Sequence, residues 1–336
     1  MEQSGFWNFF FATGLPQAYL AARLKEGEEV VFPPMPPPGA PGGGTLPPSV
    51  PGMMDKKGYV NCPAGPPSAD RPEIHRGADE MHMRTKALVL RAVDYKESDK
   101  ILTLLTQESG KLTASARGCR KKGSPVAAGV QLLAWSDLVL YEYRGRWTVK
   151  EAAVEREFLG LRRDVERLAL ACYFAEAAEA LAVEDVPAPE LLSLVLNSLY
   201  ALDQMPQKPL ALVKAAFELR LMCAAGYEPI LDGCAVCGAE RPEEPRFHLR
   251  EGALHCAKCR GGVGEGISMP VSPPVLAAMR HVVCGDARRL FSFRLDSGAL
   301  EELAGVSEAY LLTQLERGFR TLDFYKQMTL PAGPDR

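Results

Sequence analysis

Two closely spaced cysteine pairs are the feature that most limits how this chain can fold. They read Cys234-x2-Cys237 and Cys256-x2-Cys259, with 18 residues between the pairs. At this spacing two tight turns can supply four thiolates to one tetrahedral ion, and sulfur ligands favour Zn²⁺ over hard cations. We therefore predict a structural zinc module over residues 231–262, with these four cysteines as ligands.

Other uses of the same cysteines remain open at this point. An iron–sulfur cluster or buried free thiols would need the same residues, and His248 or His255 could each replace one cysteine. With four thiols available, we expect both histidines to be bystanders. Four protein ligands leave no coordination position for a catalytic water, and no His-x-Glu precedes the module as a zinc deaminase would need.

Composition places the chain among ordinary globular proteins. It has 336 residues, of which 47% are hydrophobic, and this is enough for two modest domains. No apolar run approaches the ~20 residues needed to cross a bilayer, and the aromatic stretch at residues 6–11 follows Glu2 rather than a basic region. The cysteines are clustered rather than spread as in a secreted disulfide framework. We expect a cytoplasmic protein with no membrane partner.

The first 82 residues differ from the rest of the chain. They hold 14 of the 27 prolines, and 13 of the 19 residues from Pro33 to Pro51 are Pro or Gly. Such a sequence favours an extended linker over a packed core. Residues 1–82 are therefore predicted to be a mostly disordered extension, with the fold beginning at Met83.

The remaining chain predicts an α+β multidomain protein. Residues 83–156 contain five short β-branched segments with glycine-bearing turns, which is typical of a small barrel. Residues 157–330 show helical periodicity around the zinc module. The predicted strands are Lys86–Val93, Lys100–Thr106, Lys111–Ala116, Ser136–Tyr143 and Trp147–Ala153. The predicted helices are Val165–Leu181, Glu190–Leu202, Leu210–Ala225, one that runs toward Cys284, and one from about Leu300 to Gln327.

Basic charge is concentrated in the barrel segment. Residues 83–150 carry 13 basic and 6 acidic side chains, although the whole chain has a net charge of −3. The segment from Arg117 to Lys122 contains four cations, and Arg144 and Arg146 lie in a later hairpin. This distribution indicates a polyanion site or, equally, a solvated basic face. Beside the hairpin, Trp147 is expected in the core, whereas the sequence leaves the position of Tyr143 open.

Several motifs in order resemble a known family. Residues 83–91 read MRTKALVLR, residues 95–102 read YKESDKIL, and residues 116–121 read ARGCRK; residues 227–238, YEPILDGCAVCG, lead into the first cysteine pair. Residues 83–330 resemble the DNA repair protein family RecO. The resemblance implies an N-terminal five-stranded OB-fold, a helical C-terminal domain with an inserted zinc module, and no enzymatic activity. Residues 4–24 resemble the small YqzL-like proteins.

The resemblance also implies a role as a recombination mediator associated with the nucleoid. Such a protein binds single-stranded DNA, anneals complementary strands, engages single-strand binding protein, and helps RecR to load RecA. DNA binding is implied on the basic face of the barrel. The candidate contacts are Lys86, Lys100, Arg117, Arg120, Lys121, Lys122, Arg144 and Arg146.

Two other classes compete with this reading. The first is an RNA-binding or translation-linked protein that joins an OB-fold to a zinc module. The second is an enzyme such as a nucleotidyl transferase, for which the sequence offers no P-loop, no nucleotide-attaching lysine motif and no paired carboxylates. We therefore expect a binding protein rather than an enzyme.

Overall fold

A computed structural model describes residues 74–77, 80–262 and 266–329. The predicted extension lies outside these residues except for 74–77 and 80–82. The proline-rich stretch and the segment at residues 4–24 therefore also lie outside the described residues.

The N-terminal part is one β-sheet whose strands close a circuit. Five strands, β2 to β6, pair in the order β2-β3-β4-β6-β5, and β5 pairs again with β2. The β4–β6 pair is parallel and the other pairs are antiparallel. We call these five strands the strand ring; the additional β1 pairs with the start of β2. The strands are β1 (Ile74–Gly77), β2 (Glu80–Tyr95), β3 (Asp99–Thr106), β4 (Gly110–Ala116), β5 (Trp135–Tyr143) and β6 (Arg146–Arg156).

Strand β2 is longer than its sequence pattern indicated. Its first part pairs with β5 and its second part with β3, with a register shift between Val89 and Arg91. A bulge of this kind bends a strand and lets it serve two seams of the sheet. The predicted start of the fold at Met83 is therefore too late, because β2 begins at Glu80 and β1 precedes it.

Apolar side chains lie on both faces of β2 and β3. Val89, Leu102 and Leu104 point into the strand ring, where they join a buried core. Leu88 and Leu105, on the opposite face, pack instead into the core of the helical domain. The near-continuous apolar pattern of these strands thus reflects burial on two sides, as in strands covered on both faces.

The C-terminal part is helical. Asp164 begins the first helix, since its carboxylate accepts hydrogen bonds from the backbone N–H groups of Glu166 and Arg167. The prediction of a single final helix is wrong: Glu316 adopts a left-handed conformation (φ 48°), and Phe319 is buried after it. The helices are α1 (Val165–Leu181), α2 (Pro189–Gln204), α3 (Leu210–Ala224), α4 (Pro273–Cys284), α5 (Ser297–Leu315) and α6 (Arg320–Thr329).

A buried ionic network joins three of these helices. Lys214 of α3 lies 2.8 Å from carboxylate oxygens of both Glu218 and Glu308. Tyr173 and Ser307 donate hydrogen bonds to the two oxygens of Glu218. Burial raises the pKa of Glu218 despite the opposing effect of Lys214. The network fixes α1, α3 and α5 relative to one another, because removing one partner would leave a buried charge unpaired.

Residues 230–262 and 266–270, which we call the cysteine module, form a second sheet between α3 and α4. Its strands are β7 (Ile230–Cys234), β8 (Arg246–His248), β9 (Ala253–His255) and β10 (Ser268–Pro270), in the order β10-β8-β9-β7. The sheet extends past the predicted end at residue 262. Phe247 packs edge-on against Tyr310 of α5, with 5.0 Å between ring centres, so the module is anchored to the helical core.

The strand ring and the helical domain meet at the turn between β3 and β4. The backbone N–H of Lys111 donates to the carbonyl of Val183, and that of Ala188 donates to the carbonyl of Gln107. Gly110 has a positive φ of 57°, and a Cβ there would lie 2.1 Å from the carbonyl oxygen of Val186. Only glycine fits this contact between the domains.

Replacing Gly110 with alanine should destabilise the protein by about 2–5 kcal/mol, the sum of left-handed strain and overpacking. Gly145→Ala is the matched control, because Gly145 also has a positive φ of 72° but no atom would contact its Cβ within 4 Å. The control should lose only the strain, about 1–2 kcal/mol. Urea unfolding measures both variants, and equal losses would contradict the close contact at Gly110.

Candidate nucleic-acid interface and metal centre

The predicted basic segment forms a loop that folds back over one end of the strand ring. The basic loop, residues 117–123, follows directly from β4. In its middle, Cys119 is only 4% exposed and joins the ring's hydrophobic core. Burial raises the pKa of the Cys119 thiol, so this side chain is a neutral anchor. Its neighbours Arg117, Lys121 and Lys122 remain exposed.

Polar contacts pin the basic loop to the turn between β2 and β3. The backbone N–H of Gly118 donates to a carboxylate oxygen of Asp99 at 2.8 Å, and that of Arg120 donates to the carbonyl of Ser98 at 3.0 Å. The Gly118 hydrogen bond is the largest factor that lowers the pKa of Asp99. Arg120 also pairs with Asp94 at 3.3 Å. The loop is thus held in place by its backbone, which leaves most of its cations for solvent.

The cations of the basic loop are not equivalent. Arg120 is partly neutralised by Asp94. Within the described part of the chain, Lys121 and Lys122 form no ion pair. Exposed cations on a fixed backbone provide strong sites for phosphate groups, because each phosphate contact releases a counterion.

Arg144 and Arg146 lie at the tip of the β5–β6 hairpin. Arg144 and Gly145 both have positive φ angles, as expected in a tight hairpin turn. The Arg144 guanidinium lies 5.1 Å from the centre of the Tyr143 ring. Ala114 of β4 pairs with Trp147 in the parallel β4–β6 pair, so the hairpin tip lies beside the residues just before Ala114. Arg117 is about four residues further along this pair of strands, at a distance of about 13 Å from the tip.

The other two candidate contacts differ in their surroundings. Lys100 is half-buried near the start of β3, where it pairs with Asp94 of β2 and with Ala116, the residue just before the basic loop. Lys86 pairs with Glu155 at 3.4 Å and lies across from Asp137 on β5. Lys86 is therefore set among acidic residues, away from the basic loop.

The aromatic residues of the hairpin separate into two groups. Trp147 packs against the core of the strand ring, as predicted. Tyr143 is 46% exposed, which settles the position that the sequence left open. Two further residues, which the sequence did not mark as candidate contacts, lie beside the basic loop: Tyr95 ends β2, and Lys96 begins the turn that holds the loop. Tyr95 is 49% exposed and the Lys96 ammonium lies 5.3 Å from its ring centre. The sequence signal that could have identified them is the pair of an aromatic residue and a lysine at the start of a polar turn.

The four clustered cysteines converge as their spacing predicted. Their sulfur atoms all lie within 4.8 Å of one another. Gly238, with a φ of 72°, donates its N–H to the carbonyl of Cys234 and turns the chain back after the first pair. Gly233 allows a close approach, since a Cβ there would lie 2.7 Å from the carbonyl oxygen of Ala239.

The donor set fits a single divalent ion. The sulfur atoms of Cys237 and Cys256 are 3.8 Å apart. This equals the separation of about 3.8 Å expected when two thiolates bind one tetrahedral Zn²⁺ at about 2.3 Å, and it is far longer than a disulfide bond. The Cys256 backbone N–H also donates to the sulfur of Cys234. We conclude that these four residues could bind a metal.

The ionisation of the thiols supports the same conclusion. Desolvation opposes ionisation of Cys234, but backbone N–H donors, led by that of Cys237, outweigh it and lower its pKa to about 6. Hydrogen bonds with the neighbouring thiols, first that of Cys256, raise the pKa of Cys259 to about 12. Four thiols at this distance cannot all lose their protons unless a cation compensates the charge.

His248 and His255 lie outside the four-cysteine cluster. Glu251 contacts one ring nitrogen of each: its carboxylate lies 2.9 Å from Nε2 of His255, and its backbone N–H donates to Nδ1 of His248. Among the described residues, only the four cysteines form a group suited to a metal ion. The structure thus agrees with the expectation that neither histidine replaces a cysteine.

Comparison with known proteins identifies the family. A family model described as Recombination protein O N terminal matches residues 81–158, and one described as Recombination protein O C terminal matches residues 162–323. The DNA repair protein RecO of Acetivibrio thermocellus is 32% identical over 74% of this chain and 97% of its own length. This chain belongs to the RecO family.

Other RecO proteins agree with this assignment. The chain is 30% identical to DNA repair protein RecO of Alkaliphilus metalliredigens, over 74% of this chain and all of that protein. It is 38% identical to that of Anaeromyxobacter dehalogenans strain 2CP-1, over 68% of this chain and 90% of that protein. Membership of the RecO family supports a function in DNA repair and recombination. Neither family model reaches residues 1–80.

None of the helices in the described residues combines the length and the apolar composition that a membrane span requires.

Proposed function

We propose that this RecO protein is a recombination mediator that binds single-stranded DNA and anneals complementary strands. Together with RecR, it helps to load RecA onto DNA coated with single-strand binding protein. The observation that carries the proposal is the basic loop, whose backbone is pinned through Asp99 while Lys121 and Lys122 stay exposed and unpaired among the described residues. A fixed row of cations follows a phosphate backbone without reading its sequence.

We propose that the strand ring is an OB-fold. Its support is the closure of the pairing: partner residues followed once around the five strands return to β2 eleven residues further along. The path is Met81, Glu142, Trp147, Ala114, Leu102 and Ala92. Such a displacement accompanies strands that tilt around a closed barrel. OB-folds bind oligonucleotides, in part through the loops after their first and fourth strands, which here hold Lys96 and Arg144.

We further propose that the bound metal is zinc and that its role is structural. Four thiolates would complete a tetrahedral shell, and a structural site of this kind contributes to folding. The metal would hold the two cysteine turns together, so that Phe247 and Leu254 of the module pack into the helical core. With its four ligands in place, the site offers no position for a catalytic water, so we propose a binding protein rather than an enzyme.

The remaining parts of the proposal concern location and partners. We propose a cytoplasmic protein that associates with the nucleoid. RecR, single-strand binding protein and, indirectly, RecA are proposed as partners because these roles accompany the RecO resemblance. The concentration of cations in the strand ring, within an otherwise acidic chain, supports DNA as the direct ligand.

An annealing assay with the full chain tests the proposed function. Two complementary oligonucleotides coated with single-strand binding protein should anneal faster when the protein is added. In a separate competition, single-stranded RNA of the same length should not displace the DNA more effectively than unlabelled DNA does. Preference for RNA, which requires contacts to the 2′-hydroxyl groups, together with no annealing, would favour the RNA-binding alternative.

A further inference from the structure

One outward face of the strand ring carries a row of hydroxyl and aromatic side chains. Ser115 pairs with Thr148, Thr148 pairs with Tyr141, and Tyr141 pairs with His82, so these residues lie side by side across four strands. The rings of Tyr141 and His82 are 5.0 Å apart. Tyr143 lies on the same face as Tyr141, two residues further along β5. His82, Tyr141 and Tyr143 therefore form a small aromatic surface rather than a single exposed ring.

Cations accompany both tyrosines. The Lys150 ammonium lies 4.7 Å from the centre of the Tyr141 ring, and the Arg144 guanidinium lies 5.1 Å from that of Tyr143. Both cations belong to exposed residues. We call Tyr141, Tyr143, His82 and Lys150 the outer tyrosine strip. It lies between the β5–β6 hairpin tip and the end of β4, where the basic loop begins.

The helical domain leaves this face uncovered. It packs instead on the face of β2 and β3 that holds Leu88 and Leu105. Trp147, next to the strip in sequence, points into the core, whereas Tyr143 is 46% exposed. Tyr143 is exposed and Tyr141 half-buried, and neither ring belongs to the core of the strand ring or of the helical domain. Aromatic surface placed outside both cores and flanked by cations suggests a ligand.

We propose that the outer tyrosine strip is a stacking platform that selects single-stranded DNA over duplex DNA. This inference rests on the proposed function and deepens it: the basic loop attracts phosphates of any strand, and the tyrosines require bases whose faces are free. The Cα atoms of Tyr141 and Tyr143 are two strand residues apart, or about 6.8 Å. Bases in a duplex are about 3.4 Å apart, so two bases reach the two rings only if the strand is unstacked.

The flanking cations are compatible with this role. A cation over an exposed ring is held more weakly than a base stacked on the same ring. Because Lys150 and Arg144 are exposed, each can leave its tyrosine and pair with a phosphate when a base takes its place. The ring and its cation then contact the base and the backbone of the same nucleotide.

Binding of the full chain to a labelled oligothymidylate and to a duplex of equal length tests the proposal. In the double variant Tyr141→Leu and Tyr143→Leu, single-strand affinity should fall at least about fivefold and up to about a hundredfold per lost base contact. Duplex affinity and the salt dependence should stay unchanged, since no charge is removed. The control with Tyr141→Phe and Tyr143→Phe keeps both rings and should bind like the unaltered protein.

The outcomes separate this inference from the proposed function. Equal single-strand affinity of the leucine variant and the unaltered protein would overturn the stacking platform while leaving the proposed function in place. No binding of the unaltered protein to single strands would overturn both. Photocrosslinking of the unaltered protein to a bromouracil oligonucleotide gives a result independent of variant folding. Crosslinks at Tyr141 or Tyr143 support the platform, and crosslinks confined to other peptides overturn it.

Discussion

Replacing Cys234 and Cys256 with serine is expected to unfold the cysteine module and to abolish the proposed zinc binding. Structural zinc sites contribute apparent binding energies of about 10–16 kcal/mol, as much as the whole stability of a typical domain at about 5–15 kcal/mol. The loss should extend into the helical core, because Phe247 and Leu254 are buried there. Metal analysis should give one zinc per chain for the unaltered protein and none for the variant, together with a large fall in Tm.

The matched control for the metal site is Cys284→Ser. Cys284 is an exposed thiol at the end of α4, outside the four-cysteine cluster. Its replacement should change neither the zinc content nor the Tm. An unaltered protein that purifies without metal and unfolds at the same temperature as the double variant would contradict a structural zinc site. Finding one iron–sulfur cluster per chain would instead show that the four cysteines bind iron and not zinc.

Replacing Arg120, Lys121 and Lys122 with alanine is expected to weaken single-stranded DNA binding by about a hundredfold at 50 mM salt. Each phosphate contact on a single strand contributes about 0.7 to the slope of log affinity against log salt, so the slope should become shallower by about 2. Arg120 should contribute least of the three, since it already pairs with Asp94. Fluorescence anisotropy titrations at several salt concentrations measure both quantities.

Two controls accompany this variant. Replacing the three exposed arginines Arg288, Arg289 and Arg294 of the helical domain removes the same charge at a distant surface and should leave the slope unchanged. Lys86→Ala should also have little effect, because Lys86 is paired with Glu155 and faces Asp137. If the distant triple variant lost as much affinity as the loop variant, net charge rather than the basic loop would account for binding.

The sequence predicted those parts of the fold that depend on short-range patterns. The five strands follow from β-branched runs between turn residues, and the four-cysteine cluster follows from ligand spacing alone. The break between α5 and α6 did have a sequence signal that the prediction missed: Gly318 follows the left-handed Glu316, and glycine just after a helix is typical of its end. The early start of β2 was missed for a different reason, since it depends on pairing with β5, distant in sequence.

The candidate site was predictable in composition and not in arrangement. The charge count found the basic loop, but it could not show that Asp99 and the buried Cys119 hold the loop in place. It also could not separate Lys86, which faces acidic residues, from Lys121 and Lys122, which do not. Ion pairing across strands depends on register, and register is set by the three-dimensional closure of the sheet.

The most direct test of the account is the binding of the unaltered full chain to a single-stranded oligonucleotide across a range of ionic strength. Binding should be tight at low salt, independent of base sequence apart from stacking preferences, and should weaken linearly in log affinity against log salt. A protein that ignores the oligonucleotide even at the lowest ionic strength, while folded and loaded with its metal, would contradict the claim that the strand ring and its basic loop bind DNA.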